Sequence, residues 1–224
     1  LPPVTPEAEF FTKRLNRFTA SSRSWLPAGS WERCINRDRK VTREEPVILS
    51  FDGAWTNDSV ALTGCTVNDP HIFVVKVWEK PIDAYTWVVP SHEVEDAVME
   101  AFSTYNVTEI ACDPYFWREQ LARWNDNGLP VVEWPSNSLA RMVPACKEFY
   151  RSVVEHRLTH DGDQRLARHI ANTTVKEDHN GARIVKKARG QKIDLAVAAV
   201  IAHDRATAHK PKEIDSPIQF IPFD

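Results

Sequence analysis

Three aspartates lie at positions where their carboxyl groups could meet. Asp52 and Asp113 each follow a short apolar run that is typical of a buried strand, and Asp194 stands in the most apolar stretch of the chain, Ile193–Ala202. A carboxylate in such surroundings loses hydration, which is costly unless a cation compensates for it. Mg²⁺ and Mn²⁺ prefer oxygen ligands, and two such ions about 4 Å apart can promote phosphodiester hydrolysis by a metal-bound water. The three residues therefore predict a centre for two divalent cations on which their carboxyl groups converge.

Each aspartate also has a purely structural interpretation. Asp52 and Gly53 form a common turn dipeptide, and Asp113 before Pro114 resembles a helix N-cap. An acid at a helix start, such as Asp194, interacts favourably with the helix dipole. The structural interpretation is weakest for Asp194, because the other positions on its helical face are apolar. A carboxylate on that face is predicted to point into the body of the protein.

Five further polar residues are possible accessory groups of the same site. His160, Asp161 and Asp163 could form a metal-binding cluster, although Asp-Gly-Asp is more often a turn. His169 and Asn172, three positions apart on a predicted helix, could contact a phosphate group. The alternative for this pair is ordinary helix capping and packing.

Aromatic residues flank the acids in the sequence. Trp55 and Trp117 could stack on nucleobases, but large aromatic side chains near a core usually belong to it. Asp58 is expected only to shape a hairpin.

The charge of the chain is unevenly distributed. The net charge is −3, which does not by itself indicate a nucleic-acid-binding protein. Residues 12–43 nevertheless carry nine Lys or Arg against two acids, and residues 183–192 carry five basic residues and no acid. Such stretches attract polyanions, although they can equally be solvated surface. The second stretch is the predicted grip on a nucleic-acid backbone, and its basic residues are Arg183, Lys186, Lys187, Arg189 and Lys192.

The hydrophobic pattern predicts the elements that position these residues. Val47–Phe51, Ser59–Val67 and Ile72–Trp78 have the pattern of strands joined by turns, which indicates an antiparallel meander. The helix predicted next opens with Ser91 and Glu93, which indicate a side-chain cap. Strands and helices then alternate, so the predicted fold is a mixed α/β sheet with helices on both faces. The later elements are strands Val107–Cys112 and Pro130–Trp134, helices Ser91–Tyr105, Pro114–Asn127, Ser138–His156, Asp163–Ala171 and Lys192–Thr207, and a β-hairpin over Thr173–Lys187.

The chain divides into three parts by composition. Residues 1–45, rich in Pro, Arg and Trp, are predicted to be a linker or arm, residues 46–207 one domain, and residues 208–224 an extended tail. The first residue is not Met, which suggests a fragment of a longer chain. Without a membrane-length apolar run or a signal peptide, the cytoplasm is the expected location. The four cysteines form no C-x-x-C pair, so neither a zinc knuckle nor a disulfide framework is expected.

Several segments, taken in order, resemble one family. They are Ile48–Ala54 with Asp58–Ala61, Ile110–Pro114, Leu158–Asp163 with His169–Asn172, and Lys192–Ala198. Together, residues 46–207 resemble the nuclease domain of the large terminase subunit of tailed double-stranded DNA phages, a ribonuclease H-like family. The arm, with Trp25, Trp31 and Cys34, resembles the segment that joins such domains to their packaging ATPase.

The resemblance implies a function and partners. It implies a ribonuclease H-like fold in which the acids at Asp52, Asp113 and Asp194 bind two Mg²⁺ or Mn²⁺ ions and cut double-stranded DNA during genome packaging. Its implied partners are the DNA, a packaging ATPase domain of the same subunit, the small terminase subunit and the portal. No pair of glycines has the spacing of an ATPase phosphate-binding loop, so this chain would be the nuclease part and not the motor.

Two alternatives remain open at the level of the sequence. One is a transposase or junction-resolvase-like nuclease of the same fold. The other is a catalytically silent module that binds DNA or docks a partner. Strand transfer or four-way-junction cutting would identify the first, and metal-independent binding without cleavage would identify the second.

Overall fold

The computed structural model describes residues 24–54, 56, 59–81, 83–179 and 181–209. Within these residues the strands are β1 (Pro46–Gly53), β2 (Ser59–Thr66), β3 (His71–Glu79), β4 (Asn106–Cys112), β5 (Val131–Glu133), β6 (Thr159–His160), β7 (Thr173–Asp178) and β8 (Gly181–Lys186). The helices are α1 (Ser91–Thr104), α2 (Arg118–Asp126), α3 (Leu139–Val154), α4 (Gln164–Ala171) and α5 (Asp194–His209), with a 3-10 turn at Glu32–Cys34.

A mixed sheet in the order β5-β4-β1-β2-β3-β6 forms the centre of the fold. Strands β1, β2 and β3 pair antiparallel, which confirms the predicted meander. Strands β4 and β5 continue the sheet in parallel from β1, as predicted, while β6, which adds to β3 in parallel, was not predicted. A strand of two residues carries too little periodicity to be recognised in a sequence. The hairpin β7-β8 is a separate two-stranded sheet.

Helices cover both faces of the central sheet, as the sequence predicts. One face packs on α3, α4 and α5, and the other on α1 and α2. Apolar side chains alternate between the two faces along β1, where Ile48 contacts the first group of helices and Phe51 the second. Almost every residue of α5 from Asp194 to His203 is buried, so this helix lies inside the fold and not on its surface.

One predicted helix cap and one predicted helix start are wrong. The α1 helix begins at Ser91, but its N-cap is Pro90 and no side chain caps it. Glu93 instead accepts a hydrogen bond from Trp78 Nε1 on β3 at 3.0 Å, so a tertiary contact takes the place of the cap. The α2 helix begins at Arg118 and not at Pro114, because a turn closed by the Trp117 N–H on the Pro114 carbonyl comes first.

The described part of the predicted arm packs on the domain. Trp25, Leu26, Trp31 and Cys34 are buried in the same core as α3 and α5, and Trp25 and Trp31 stack near Phe149. The earlier part of the arm and nearly all of the predicted tail, residues 210–224, lie outside the described residues. All four cysteines are buried free thiols. In the part of the chain that the structure describes, no helix is long and apolar enough to cross a membrane.

Candidate active site

Asp52 and Asp113 are neighbours at one edge of the sheet. Phe51 pairs with Cys112 in the parallel β1-β4 ladder, and the Asp113 N–H donates to the Phe51 carbonyl at 3.4 Å. Asp52 and Asp113 directly follow this pair, so they lie side by side on strands about 4.8 Å apart. Because Phe51 and Cys112 both face α1 and α2, the alternation of side chains directs both aspartates to the opposite face, where α5 lies.

Gly53, the last residue of β1, follows Asp52 directly. Its φ of +140° is strained for any other residue, and a Cβ atom there would collide with the Ser59 carbonyl oxygen. Asp52 itself lies in the strand and pairs with Ala61 of β2. Asp52 and Gly53 are thus the last two residues of β1, and because Gly53 still pairs with Val60 the structure supports the strand-end interpretation and not the turn.

Asp194 reaches the same face from the first residue of α5. Its carboxylate accepts a short hydrogen bond from the Ser59 hydroxyl at the start of β2, and the residue is only 7% exposed. Ser59 stands two residues from Ala61, the partner of Asp52, so it is a diagonal neighbour of Asp52 at about 7–8 Å. The sequence correctly predicted that Asp194 points inward.

The carboxyl group of Asp113 is held by backbone and hydroxyl donors. Its Oδ1 accepts from the Tyr115 N–H at 2.9 Å, and its Oδ2 accepts from the N–H of Ser136 at 2.9 Å and from the Ser136 hydroxyl. Burial raises the pKa of the neighbouring Cys112 thiol well above its usual value, and the charges of Asp113 and Asp52 raise it further. The influence of both carboxylates on one thiol reflects how close they lie.

A hydrogen-bonded chain from β3 fixes the start of α5. Glu79, at the end of β3 and opposite Ser59, accepts from Arg168 at 2.6 and 2.5 Å and from His169 Nε2 at 3.0 Å. The other ring nitrogen of His169, Nδ1, accepts from the Leu195 N–H at 3.0 Å, so the proton of the neutral ring is on Nε2. His169 thus connects Glu79 to the residue that follows Asp194.

The pKa shifts of Glu79 and His169 agree with their hydrogen bonds. Burial lowers the pKa of His169, and the nearby carboxylates of Glu79 and Asp194 offset this only in part. Burial raises the pKa of Glu79, but hydrogen bonds from His169 and Arg168 outweigh it and leave the pKa below the usual value. A neutral histidine and an ionised glutamate are the states in which every hydrogen bond in the chain is satisfied.

Asn172, the predicted accessory residue directly after α4, also binds the backbone near Asp194. Asn172 Nδ2 donates to the Lys192 carbonyl at 3.0 Å, and the backbone carbonyl of Asn172 accepts from the Lys187 N–H at 2.9 Å. His169 and Asn172 therefore make the capping and packing contacts that were the alternative to a phosphate contact. Both hold the segment that leads into α5.

The basic residues lie on β8 and on the segment between β8 and α5. Lys186, Lys187 and Arg189 are exposed, whereas Arg183 and Lys192 are half-buried. The Lys187 ammonium donates to the Ala171 carbonyl at 2.5 Å. The base of the hairpin, formed by Thr173 and Lys186, thus adjoins the segment that leads into α5.

His160, Asp161 and Asp163 lie toward the other end of β3. His160 pairs with Ile72, seven residues before Glu79, which places it about 23 Å along β3 from Glu79 at about 3.3 Å per residue. Asp161 accepts from the N–H groups of Val74 and Asp163, and Asp163 caps α4. The structure does not bring these three residues to Asp52, and their hydrogen bonds are those of a turn and a helix cap.

Two further groups of residues remain to be placed: the aromatic residues near the acids and the residues that were not predicted from the sequence. Trp117 is buried, with its Nε1 donating to the Gly53 carbonyl at 2.9 Å, so it belongs to the core. Trp55 and Asp58 lie outside the described residues. Four residues near the acids were not predicted from the sequence: Ser59, Glu79, Ser136 and Arg168. The predicted meander already places the start of β2 and the end of β3 at the edge of Asp52, so Ser59 and Glu79 could have been found.

The carboxyl groups are neighbours but not an assembled ligand set. Among the residues that the structure describes, no three His, Cys, Asp or Glu side chains form a group ready to hold a metal ion. Like charges on three separate elements repel each other at short range, and hydrogen bonds from nearby hydroxyl and N–H donors stabilise such carboxylates. Ser59 and Ser136 are such donors.

The chain is similar to proteins of tailed phages. A family model described as the endonuclease domain of the terminase large subunit matches residues 76–210. The Gene 13 protein of Mycobacterium phage D29 is 31% identical over 215 residues, which are 85% of this chain and 36% of that protein. This chain thus spans about a third of the length of the curated relative.

Solved structures agree on the fold. The large terminase of bacteriophage HK97 superposes with a TM-score of 0.68 at 19% identity, over 82% of this chain and 43% of that one. The large terminase nuclease of thermophilic phage G20c with bound magnesium superposes with a TM-score of 0.60 at 12% identity, over 83% and 98%. These likenesses confirm the predicted ribonuclease H-like fold.

Proposed function

The chain belongs to the family of terminase large subunit endonuclease domains, and from that premise we propose that it cuts double-stranded DNA during phage genome packaging with the help of divalent cations. The observation that carries the proposal is the placement of Asp52, Asp113 and Asp194. They come from three distant parts of the chain and face the same side of one sheet edge. Such a set of carboxylates suits Mg²⁺ or Mn²⁺.

The three carboxylates would hold the cations. When bound, two divalent cations would supply charge neutralisation at the attacking and leaving oxygens and a nucleophile at neutral pH. Asp52 and Asp113 provide oxygen ligands from adjacent strands, and Asp194 provides one from α5. Ser59 and Ser136 orient two of these carboxylates through hydrogen bonds.

Residues behind the acids position them. Glu79 and His169 fix the backbone of Leu195, and through it the side chain of Asp194. The basic residues at the base of the β7-β8 hairpin would bind DNA phosphates, since the acids alone repel the backbone. Neutralising phosphates from one side of the site would bring a scissile phosphodiester to the carboxylates.

The length of the relatives supports a further domain in the same subunit. The chain spans 36% of the D29 relative and 43% of the HK97 large terminase. We propose that the remainder of the subunit contains the packaging ATPase domain. The small terminase subunit and the portal would be the partners of the whole subunit in the host cytoplasm.

Cleavage of supercoiled plasmid tests the proposal. Wild type should nick and linearise the plasmid with Mn²⁺ or Mg²⁺ and not with EDTA. Asp52→Asn, Asp113→Asn and Asp194→Asn should each lose at least about 100-fold in rate, because one ligand is worth several kcal/mol of transition-state stabilisation. The matched control is Asp163→Asn, which makes the same change of charge at the helix cap, where Asn serves equally well.

The outcomes separate the proposal from its alternatives. Wild-type rates in any of the three variants would remove that residue from the site. Strand transfer or a preference for four-way junctions would indicate a transposase or resolvase activity. DNA binding that needs no metal, together with no cleavage under any condition, would indicate a silent module.

A further inference from the structure

Two exposed aromatic side chains directly follow Asp113. Tyr115 is 74% exposed and Phe116 50% exposed. Their rings pack edge to face, with centroids 4.5 Å apart and planes at 82°. Single exposed apolar residues are ordinary, whereas two adjacent exposed aromatic side chains form an apolar patch on the surface.

The aromatic pair is fixed to the proposed active site on both sides. On one side the Tyr115 N–H donates to Asp113 Oδ1 at 2.9 Å. On the other side Trp117 is buried, packs edge to face on Phe51 at 4.5 Å, and donates to the Gly53 carbonyl, next to Asp52. By its place in the sequence Trp117 is a possible stacking residue, but the structure buries Trp117 and exposes its two predecessors.

The reach of the pair fits a nucleic-acid strand held at Asp113. Consecutive Cα atoms lie about 3.8 Å apart, so those of Tyr115 and Phe116 are at most about 8 and 11 Å from that of Asp113. One strand of DNA rises about 3.4 Å per nucleotide, so these separations correspond to about two to three nucleotides. A strand with a phosphate at Asp113 would therefore pass its nearest bases over these rings.

We propose that Tyr115 and Phe116 stack on unpaired bases beside the scissile phosphate, and that the site therefore favours locally opened DNA. The inference rests on the proposed nuclease function. Aromatic side chains bind exposed base faces without regard to sequence, each base gaining about 5- to 150-fold in affinity. Bases inside an intact duplex are already stacked on one another and present only their edges, so the pair gains most when the strands separate.

The test compares two synthetic substrates. One is a fully paired duplex, and the other has the same sequence with a central bubble of mismatched bases that contains 2-aminopurine, whose fluorescence falls on stacking. Wild type should cut the bubble faster than the duplex and quench the 2-aminopurine. The double variant Tyr115→Ala, Phe116→Ala should lose about tenfold of this preference and the quenching, while cleavage of the plain duplex with Mn²⁺ persists.

Two further variants guard against a folding defect. Tyr115→Phe with Phe116→Tyr keeps both rings and should keep the preference. Met99→Ala removes a half-exposed apolar side chain from α1 and should change nothing. Melting temperatures of all variants are compared with wild type.

The result that overturns the inference is an equal bubble-to-duplex ratio and equal quenching in wild type and in the double alanine variant. The pair would then be a contact surface for another protein domain. If wild type cuts neither substrate, the proposed nuclease function fails, but quenching by wild type that the double variant lacks would still establish base stacking. If wild type neither cuts nor quenches, both proposals are wrong.

Discussion

His160 and His169, toward opposite ends of β3, make the same kind of hydrogen bonds. Both rings are buried, and in both Nδ1 accepts a backbone N–H, from Gly162 in one and from Leu195 in the other. The difference lies in what Nε2 meets. His160 faces the backbone carbonyl of Trp31, whereas His169 faces the carboxylate of Glu79 beside Asp194. Burial and tautomer therefore do not separate a structural histidine from one that supports an active site, but the partners do.

The acids at the two ends differ in the same respect. Asp161 and Asp163 are close in sequence and bind N–H groups within their own turn or on the adjoining strand. Asp52, Asp113 and Asp194 come from distant parts of the chain and meet only through the sheet. Acids that are grouped in sequence thus shape a turn, and acids that are dispersed in sequence but gathered by topology form the candidate site.

The largest effect expected from this comparison is a loss of activity on removal of His169. His169→Ala leaves the Leu195 N–H without its acceptor and Glu79 with Arg168 alone, so the start of α5 and Asp194 should shift. Residues that orient metal ligands typically contribute about 10- to 100-fold to metal affinity or activity. Plasmid cleavage rates at several Mn²⁺ concentrations would show both a lower rate and a higher Mn²⁺ requirement.

Two companion variants make this prediction specific. His169→Asn retains an acceptor near the position of Nδ1 and should recover part of the activity and of the Mn²⁺ affinity. His160→Ala should lower the melting temperature without changing the rate per folded molecule. Equal Mn²⁺ requirements in wild type and His169→Ala would show that His169 only packs.

The sequence predicted the placement of the three aspartates better than it predicted the residues that hydrogen-bond to them. Apolar strand patterns placed Asp52 and Asp113 at strand ends, because a strand buried on both faces is visible as an apolar run. The apolar face of α5 showed that Asp194 points inward. Ser136 and Arg168 were not predicted, because a hydrogen bond across the fold leaves no periodic signal. The early start predicted for α2 failed because Asp113 and Pro114 suit a helix start and a turn equally well.

The next effect concerns the pH dependence of stability at the end of β3 that lies far from the acids. The pKa of His71 is lowered to about 4, chiefly by burial and then by the charge of Arg39, while Asp161 and Asp69 oppose the shift and His160 adds to it. An unfolded histidine titrates near its ordinary value of about 6.5. Between these two values the unfolded chain binds the extra proton, so His71 should make stability fall with falling pH, by up to about 1.4 kcal/mol per pH unit.

Urea unfolding at pH 5 and pH 7 measures this slope. His71→Asn keeps a polar atom for the Thr159 hydroxyl, which lies 2.8 Å from His71 Nδ1, but cannot titrate. The variant should therefore lose less stability than wild type between the two pH values. His92→Asn, at an exposed position on α1, should leave the slope unchanged. Identical slopes in wild type and His71→Asn would mean that His71 accepts a proton in the folded protein as readily as in the unfolded chain.

The smallest effect is expected at the base of the hairpin, which adjoins the acids and which we propose binds the DNA backbone. Each phosphate contact releases counterions and contributes about −0.9 to the slope of log affinity against log salt concentration. The double variant Lys186→Ala, Lys187→Ala should therefore reduce that slope by up to about 2 units. The reduction will be smaller if the hydrogen bond from the Lys187 ammonium to the Ala171 carbonyl keeps that ammonium from the phosphate.

Lys40→Ala removes an exposed charge before β1, at the opposite end of the sheet, and should leave the slope unchanged. Binding of DNA to Asp194→Asn across a salt series measures the slope without cleavage. An equal loss of slope in the Lys40 and hairpin variants would mean that DNA responds to overall charge and not to the hairpin.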